Sequence, residues 1–345
     1  MKIAIVTDAW YPQTNGVVTT LNRTGECLRQ MGHDVVYVTP KEFKTVPLPT
    51  YPEIRLSLFP MAKLARILDN FEPEAIHIAT EGPLGTAAKK YCRRRKLKFT
   101  TAYHTQFPQY VRLRIPIPIA VSYAFLRRFH RQAQRTLVPT ESLRQELIKW
   151  GFKNVVIWSR GVNVDLFKPH DKQFLQSPRP ISMFVGRVAV EKNIEAFLSL
   201  KIPGTKYVVG DGPDLQALCD KYPHVKFIGF KYGEELARYI SAADVFVFPS
   251  RTDTFGLVML EAMACGVPVA AYPVIGPIDV VVQHEIGVLD EDLGKATLEA
   301  LRLEPDVARR YALKHSWMAA TQQFFDHLEI NQRETCLDAT AGQGI

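Results

Sequence analysis

Two acidic side chains lie eight residues apart in a stretch that runs from a polar turn into an apolar, alanine-rich segment. Asp253 precedes the glycine turn at Gly256, and Glu261 lies inside the helix predicted to follow it. The start of such a helix offers backbone N–H groups and a partial positive charge, which favour an anionic ligand such as a diphosphate. Carboxylates at both ends could accept hydrogen bonds from sugar hydroxyls. A buried helix start with a capping acid is the alternative.

A basic pair follows another predicted strand. Arg187 and Lys192 come after the apolar run Ile181–Val185, with Gly186 at the turn. Two cations at a strand end could clamp a diphosphate from two sides, the arginine with two parallel hydrogen bonds. A surface turn held by salt bridges is the alternative.

A glycine loop separates the first predicted strand from the first helix. Asn15, Gly16 and Val17 form it, and glycine there lets the backbone approach a phosphate closely. The loop is not the dinucleotide fingerprint, because no Gly-x-Gly-x-x-Gly follows the strand. Gly210-Asp211-Gly212-Pro213 is the nearest match elsewhere, and its proline and missing third glycine argue against a nicotinamide cofactor.

Three further polar groups follow predicted strands or precede helices. His104 comes after the run Phe99–Tyr103, where a structural and a functional role are equally open, and Glu81 could cap the helix after it. Asp290-Glu291-Asp292 has the spacing of a metal-binding pair but stands directly before a helix, where acids cap and complement the dipole. We therefore expect no metal, and no zinc, serine-hydrolase or P-loop pattern is present.

Apolar runs alternate with helical segments along most of the chain. This pattern indicates parallel sheets covered by helices on both faces. It restarts after the proline-flanked segment 168–180, which predicts two doubly wound α/β domains with a linker near 165–180 and a ligand cleft between them. The predicted strands are Lys2–Thr7, Asp34–Val38, Ala75–Ile78, Phe99–Tyr103, Thr136–Val138, Ile181–Val185, Lys206–Val209, Val225–Ile228, Val245–Phe248 and Val267–Ala271.

The predicted boundaries follow from this restart. Residues 1–168 form an N-terminal domain and 169–315 a C-terminal domain, while 316–330 form a last helix that returns to the N-terminal domain. The tail, 331–345, has no apolar periodicity, so we expect it to be weakly ordered.

Length and composition are those of a two-domain globular protein. The chain has 345 residues, of which 47% are hydrophobic, and five cysteines without metal-ligand or redox spacing. Unpatterned cysteines indicate a reducing compartment. No apolar run reaches the roughly 20 residues needed to span a bilayer, and Met1 leads directly into the first strand without a signal sequence. These features predict a cytoplasmic protein.

The net charge of +8 is concentrated in two clusters of the N-terminal half. Residues 89–98 are best interpreted as a solvated helix face. Residues 112–135 mix arginines with apolar side chains, which fits either a helix that touches an anionic membrane or one buried on one side. A nucleic-acid-binding module would rest on charge alone, without the aromatic interleaving of single-strand binders.

Taken together, the motifs resemble family 4 of the retaining glycosyltransferases, whose GT-B fold has two Rossmann-like domains facing across a cleft. The resemblance spans residues 1 to about 328. The motifs that carry it are Asn15-Gly16-Val17, His104, Ser159-Arg160-Gly161-Val162, Gly186-Arg187 with Glu191-Lys192, Gly210-Asp211-Gly212, and Asp253 to Glu261.

The resemblance implies a role for each group. Arg187 and Lys192 neutralise the donor diphosphate, Asp253 binds hydroxyls of the transferred sugar, Glu261 binds the ribose, and His104 lies near the 6-position of that sugar. The remaining residues implied to bind the nucleotide-sugar are Asn15, Gly16, Val17, Arg160, Gly186, Gly210, Asp211, Gly212, Thr254, Phe255, Gly256 and Leu257.

The implied reaction is transfer of a hexose from a UDP- or GDP-sugar to a lipid or glycan, with retention of anomeric configuration and without metal or cofactor. Front-face attack is the commonly favoured account, and no protein nucleophile stands out here. A nucleotide-sugar epimerase on the same scaffold is the competing enzyme class. One departure concerns Asp253, where family members usually carry glutamate. Losing a methylene moves the carboxylate by about 1–1.5 Å, which predicts an altered or water-mediated sugar contact.

Overall fold

The fold is described here from a computed structural model, which covers residues 1–13, 15–48, 51–112 and 117–331. Part of the basic 112–135 segment, 113–116, and nearly all of the tail, 332–345, lie outside the described residues.

The N-terminal domain is built on a parallel sheet that has six strands within the described residues, in the order β2-β1-β5-β6-β7-β8. A small antiparallel hairpin, β3–β4, stands apart from it. The strands are β1 (Lys2–Val6), β2 (Asp34–Val38), β3 (Thr45–Leu48), β4 (Tyr51–Ser57), β5 (Ala75–Ile78), β6 (Thr100–Ala102), β7 (Arg135–Val138) and β8 (Val155–Ile157). The helices are α1 (Gly16–Gln30), α2 (Met61–Phe71), α3 (Pro83–Arg94), α4 (Phe107–Arg112), α5 (Ile119–His130) and α6 (Glu141–Lys149).

The C-terminal domain repeats the plan with a parallel sheet in the order β11-β10-β9-β12-β13-β14. Its strands are β9 (Ile181–Val185), β10 (Thr205–Val209), β11 (Lys226–Gly229), β12 (Val245–Phe248), β13 (Val269–Ala271) and β14 (Gly287–Leu289). Its helices are α7 (Ile194–Leu198), α8 (Leu215–Lys221), α9 (Gly233–Ala242), α10 (Leu257–Ala264), α11 (Pro277–Val280), α12 (Leu293–Ala300) and α13 (Pro305–Ala312). The predicted doubly wound architecture is confirmed.

Both sheets are buried on their two faces, which explains the near-continuous apolar strands. Along β1, Ile3 and Ile5 join the core cluster on one face, and Ala4 and Val6 join the cluster on the other. Strand order reverses between β1 and β5 in the first sheet and between β9 and β12 in the second. Ligands of such sheets bind at the carboxyl ends of the strands beside that reversal. The loops after β1, β9 and β12 carry most of the residues singled out by type and spacing.

The last helix, α14 (Trp317–Asp326), packs against α1 of the N-terminal domain. Its Phe324 lies in the same core cluster as Ile3 and Leu21. The chain then runs along the sheet, where Ile330 forms an antiparallel bridge to Ala75. Asn331 donates from its backbone to the carbonyl of Glu74. The C-terminal segment therefore belongs structurally to the first sheet, although it follows the second in the sequence.

Some elements carried no sequence signal. The β3–β4 hairpin contains Pro47 and several polar residues without a regular period, and β8 and β14 are three residues long, too short to show one. The suggested capping role of Glu81 is wrong. The N-cap of α3 is Gly82, and the carboxylate of Asp8 accepts hydrogen bonds from the backbone N–H groups of Leu84 and Gly85 instead. Glu81 bonds His130, with 3.1 Å between Oε1 and Nε2.

Candidate active site

The glycine loop after β1 opens α1 opposite the C-terminal domain. Asn15 caps the helix, because its Oδ1 accepts from the backbone N–H groups of Val17 and Val18 at 3.0 and 3.1 Å. A Cβ on Gly16 would lie 3.6 Å from the Leu257 side chain at the start of α10. The first turns of α1 and α10 therefore meet across the cleft. Two of the N–H groups expected to serve a phosphate are engaged by the Asn15 cap.

The two cations after β9 each hold a carboxylate. The Arg187 Nη2 lies 3.0 Å from Glu53 Oε1 of the hairpin in the facing domain. The Lys192 Nζ lies 2.6 Å from Asp253 Oδ1. Burial alone would lower the pKa of Lys192, but the Asp253 carboxylate outweighs it and raises that pKa above its ordinary value. Lys192 is therefore a fixed positive charge between the switch-point loops of the second sheet.

Asp253 places one carboxylate oxygen on Lys192 and leaves the other buried. Its Oδ2 has no hydrogen-bond partner among the described residues. The backbone of the same loop is held by the N-terminal domain: the amide of Gln106 donates to the Asp253 carbonyl at 3.0 Å, and the Thr254 hydroxyl donates to the His104 carbonyl at 2.8 Å. A buried acceptor without a partner is costly, so Asp253 Oδ2 is a strong candidate to receive a ligand donor.

The glycine turn after Asp253 is sterically required. Phe255 is buried, and Gly256 has φ +83°, with a Cβ there only 2.7 Å from Met259 and 2.9 Å from Phe248. The left-handed backbone allows Leu257 to begin α10 directly. One helical turn later, burial raises the pKa of Glu261 to about 7, opposed by the charge of Arg23 on α1. Glu261 therefore lies at the same α1–α10 meeting point as Gly16.

The other glycine motif packs two loops together. A Cβ on Gly210 would lie 1.9 Å from the Gly186 carbonyl, and one on Gly212 would lie 2.2 Å from the Val188 carbonyl. The Asp211 carbonyl accepts from the Val188 N–H at 2.9 Å. These glycines let the loop after β10 contact the loop that carries Arg187. Their packing accounts for the glycine pattern without a ligand, and their contact with a nucleotide stays a prediction.

His104 and Arg160 form a buried pair in the N-terminal domain. The Arg160 Nη2 lies 3.3 Å from His104 Nδ1, and its Nη1 donates to the Trp158 carbonyl at 2.6 Å. Burial, followed by the charge of Arg160, lowers the pKa of His104 well below its ordinary value, so the imidazole is neutral. Burial also lowers the pKa of Arg160 to about 9, which keeps the guanidinium charged at neutral pH. Arg160 therefore contacts His104 from within the N-terminal domain and fixes one of its ring nitrogens.

Comparisons with known proteins agree with this geometry. The profile described as Glycosyltransferase Family 4 matches residues 14–166, and that described as Glycosyl transferases group 1 matches 167–301. A GDP-mannose-dependent alpha-mannosyltransferase of Mycobacterium tuberculosis is 30% identical over 95% of this chain and 96% of its own length. The chain belongs to glycosyltransferase family 4.

One further relative and one solved structure are similar to this chain over most of its length. An alpha-monoglucosyldiacylglycerol synthase of Streptococcus pneumoniae is 27% identical to this family 4 enzyme over 89% of the chain and 80% of its own length. Among solved structures, a sucrose-phosphate synthase from Thermosynechococcus elongatus superposes with a TM-score of 0.75 at 23% identity, covering 94% of this chain and 97% of its own. That likeness shows the GT-B fold.

Several residues at the site of this family 4 enzyme had no recognisable sequence signal. Glu53 and Gln106 reach the site by contacts between domains, so only their distance from Arg187 and Asp253 reveals them. Burial raises the pKa of Tyr110 on α4 to about 12, and the charges of Lys192 and Asp253 act on it. Tyr110 follows His104 by six residues, so the short distance along the chain was the one hint that Tyr110 lies near Lys192 and Asp253.

The acids considered for a metal serve other purposes. Asp292 caps α12, with Oδ1 accepting from the N–H groups of Gly294 and Lys295 at 2.9 and 3.1 Å, and Asp290 pairs with the Lys295 ammonium at 2.6 Å. The capping interpretation is confirmed. Among the residues described, no group of three or more His, Cys, Asp or Glu side chains has a metal-binding arrangement. No helix in the covered ranges is both long and apolar enough to cross a bilayer.

Proposed function

We propose that this enzyme transfers a hexose from a nucleotide diphosphate-sugar to a lipid or glycan acceptor, with retention of configuration and without a metal. The observation that carries the proposal is the Lys192–Asp253 pair, in which a buried cation holds one carboxylate oxygen while Asp253 Oδ2 stays without a partner among the described residues. The buried cation can bind a diphosphate, and the carboxylate oxygen without a partner can accept a hydrogen bond from a sugar hydroxyl.

The two cations provide the main stabilisation in this proposal. When the glycosidic bond breaks, negative charge grows on the leaving diphosphate. Lys192 and Arg187, set at the end of β9, stabilise that charge because they are already oriented in a partly buried site. Gly16 closes over the diphosphate from the facing domain, and Glu261 accepts from the ribose hydroxyls. Asp253 Oδ1 is engaged with Lys192, which favours front-face attack over a covalent intermediate on this residue.

The donor that we propose is GDP-mannose. Three relatives of 30% identity, two of them matching 95% of this chain, are named GDP-mannose-dependent alpha-mannosyltransferases. For the acceptor, two relatives named alpha-monoglucosyldiacylglycerol synthase support a lipid.

The test measures binding and transfer separately. Thermal shift with GDP, UDP, GDP-mannose and UDP-glucose should show the largest concentration-dependent stabilisation with the guanosine ligands, because ligands that bind only the folded state raise its stability. Transfer to a diacylglycerol acceptor should persist in EDTA and give an α-linked product by proton NMR. Stabilisation by UDP ligands alone would reject the donor assignment, and a β-linked product or loss of activity in EDTA would reject the mechanism. Formation of an epimerised sugar from donor alone would support the competing epimerase.

We propose further that the N-terminal domain docks on an anionic membrane. On α5, Val121 and Phe125 are each 58% exposed and lie one helical turn apart, with Arg128 on the same side. The Lys89 ammonium of α3 lies 4.5 Å from the Phe129 ring centroid, which joins the basic end of α3 to α5. The two basic clusters therefore lie on neighbouring helices, with exposed apolar side chains and excess positive charge suited to anionic lipid.

Vesicle flotation tests this surface. The protein should float with phosphatidylcholine vesicles that contain phosphatidylglycerol, and should stay unbound with phosphatidylcholine alone or at high salt. Phe125→Glu and Arg128→Glu should each weaken binding, the charge reversal by roughly tenfold. Phe230→Glu, an exposed aromatic of the other domain, is the matched control and should bind as the wild type does. Equal binding by all variants would overturn the assignment.

A further inference from the structure

Arg160 is a buried arginine whose polar contacts lie within the N-terminal domain. It is 4% exposed, its Nη1 donates to the Trp158 and Ser159 carbonyls at 2.6 and 3.1 Å, and its guanidinium carbon lies 4.4 Å from the Trp158 ring centroid. Trp158 is held in turn by Phe324 of the returning helix α14, with ring centroids 4.8 Å apart. The guanidinium is therefore fixed in place, with Nη2 at His104 Nδ1.

The chemistry of this contact selects a tautomer. A guanidinium has five N–H donors and no acceptor. The 3.3 Å contact from Arg160 Nη2 therefore requires a lone pair on His104 Nδ1. Since His104 is neutral for the reasons given above, its proton resides on Nε2. Nδ1 is the nitrogen that accepts, and Nε2–H is the group left to donate.

That Nε2–H has no recipient within the part of the chain that the structure describes. His104 Nε2 is buried and has no hydrogen-bond partner among the described residues. The residue follows β6 at the carboxyl end of the sheet, and its carbonyl is bonded to Thr254, the neighbour of Asp253. The unsatisfied buried donor of His104 and the unsatisfied acceptor of Asp253 lie on two loops that this bond joins, and together they have the polarity expected for binding two oxygens of one sugar.

We infer that Arg160 is a positioning residue: it holds His104 as the Nε2–H tautomer, so that His104 donates a hydrogen bond to an oxygen of the transferred hexose. This inference rests on the proposed function for the identity of the ligand. It assigns Arg160 an action through His104, whereas the family resemblance implied direct contact with the nucleotide-sugar.

The first test needs no substrate. In ¹⁵N-histidine-labelled wild-type protein, the His104 signals should show a protonated Nε2 and an unprotonated Nδ1, assigned by their loss in His104→Gln. Arg160→Met should give a mixture of tautomers, and Arg160→Lys, which keeps a donor on a shorter reach, should give an intermediate result. Arg309→Met removes another arginine that donates to backbone carbonyls, in the second domain, and should leave the His104 signals unchanged. A His104 that remains fully Nε2–H in Arg160→Met would overturn the inference.

The second test measures transfer. Arg160→Met should lower kcat and kcat/KM together by about tenfold, with GDP affinity near the wild-type value, although Tm falls because the Trp158 and Ser159 carbonyls lose their donor. In the His104→Gln background the glutamine amide supplies its own donor, so adding Arg160→Met should have little further effect. An equal loss in both backgrounds would assign Arg160 a purely structural role and reject the inference. Failure of the proposed function would appear differently, as absence of transfer in the wild type with the tautomer result intact.

Discussion

At the scale of single residues, the site consists of buried groups whose bonds inside the protein are incomplete. Asp253 has one oxygen on Lys192 and one without a partner among the described residues, and His104 accepts at Nδ1 while its Nε2 has no recipient there. Leaving such groups unpaired destabilises the empty enzyme by about 1–3 kcal/mol each. In the proposed function, the bound sugar forms the missing hydrogen bonds of both groups. The cost of leaving them unpaired is therefore removed only in the complex with the donor.

Replacing Asp253 tests this interpretation directly. Asp253→Asn removes the charge that holds Lys192 and weakens the acceptor for a sugar hydroxyl, so kcat for transfer should fall by about 100-fold. GDP affinity should stay equal or improve, because Lys192 loses a competitor for the diphosphate. The measurement is kcat by product formation alongside calorimetric titration with GDP.

Asp253→Glu is the matched comparison, since it restores the residue that the family usually carries. We expect it to retain more activity than Asp253→Asn. If Asp253→Asn instead lost GDP affinity and transfer in proportion, Asp253 would be a support for the diphosphate pocket and not a sugar ligand.

At the scale of elements, short loops and helix starts meet from opposite domains. The hairpin β3–β4 supplies Glu53 to Arg187, α1 supplies Gly16 opposite α10, and the segment before α4 supplies Gln106 to the Asp253 loop. The ends of β1, β9 and β12 were predictable from their apolar runs. The hairpin was not, since it lies outside both sheets and carries prolines and polar residues that give no regular period.

The hairpin leads to a prediction about donor binding. The Glu53 carboxylate pairs with Arg187, so it competes with a diphosphate for that guanidinium. Glu53→Gln should therefore tighten GDP binding by about two- to fivefold, the size expected for a partly exposed ion pair. Calorimetry measures the change. Glu195→Gln, which breaks the exposed pair with Lys221, is the control and should leave GDP affinity unchanged. Weaker GDP binding in Glu53→Gln would mean that Glu53 orients Arg187 for the donor.

At the scale of the whole molecule, a contact away from the Lys192–Asp253 pair joins the two domains. The Asp279 carboxylate of α11 accepts from the backbone N–H of Ser142 at 3.0 Å and also from its hydroxyl. Ser142 lies in the first turn of α6, where the helix dipole favours a negative charge. This contact holds the two sheets in the arrangement that brings Gln106 and His104 to the Asp253 loop.

Breaking the contact should loosen the packing of the two domains against each other. Asp279→Ala should weaken GDP-mannose binding by roughly tenfold and increase the radius of gyration in solution scattering, because the contact between the domains loses two charge-assisted hydrogen bonds. Asp220→Ala, a surface carboxylate bonded only locally to Gln216 in the described structure, is the control. A double-mutant cycle with Ser142→Ala should be strongly non-additive. Additive effects would show that Asp279 acts independently of Ser142.

The sequence by itself determined the fold class and the positions of most candidate groups. Apolar strands such as Ile181–Val185 and Val245–Phe248 are local patterns, and in a parallel sheet the residues after them necessarily lie at one edge. Which groups then pair was decided by the tertiary structure. Asp279 with Ser142, Arg187 with Glu53 and Arg160 with His104 are separated by 137, 134 and 56 positions. Such pairs depend on how two domains and a returning helix are oriented, and periodicity along one segment carries no information about that orientation.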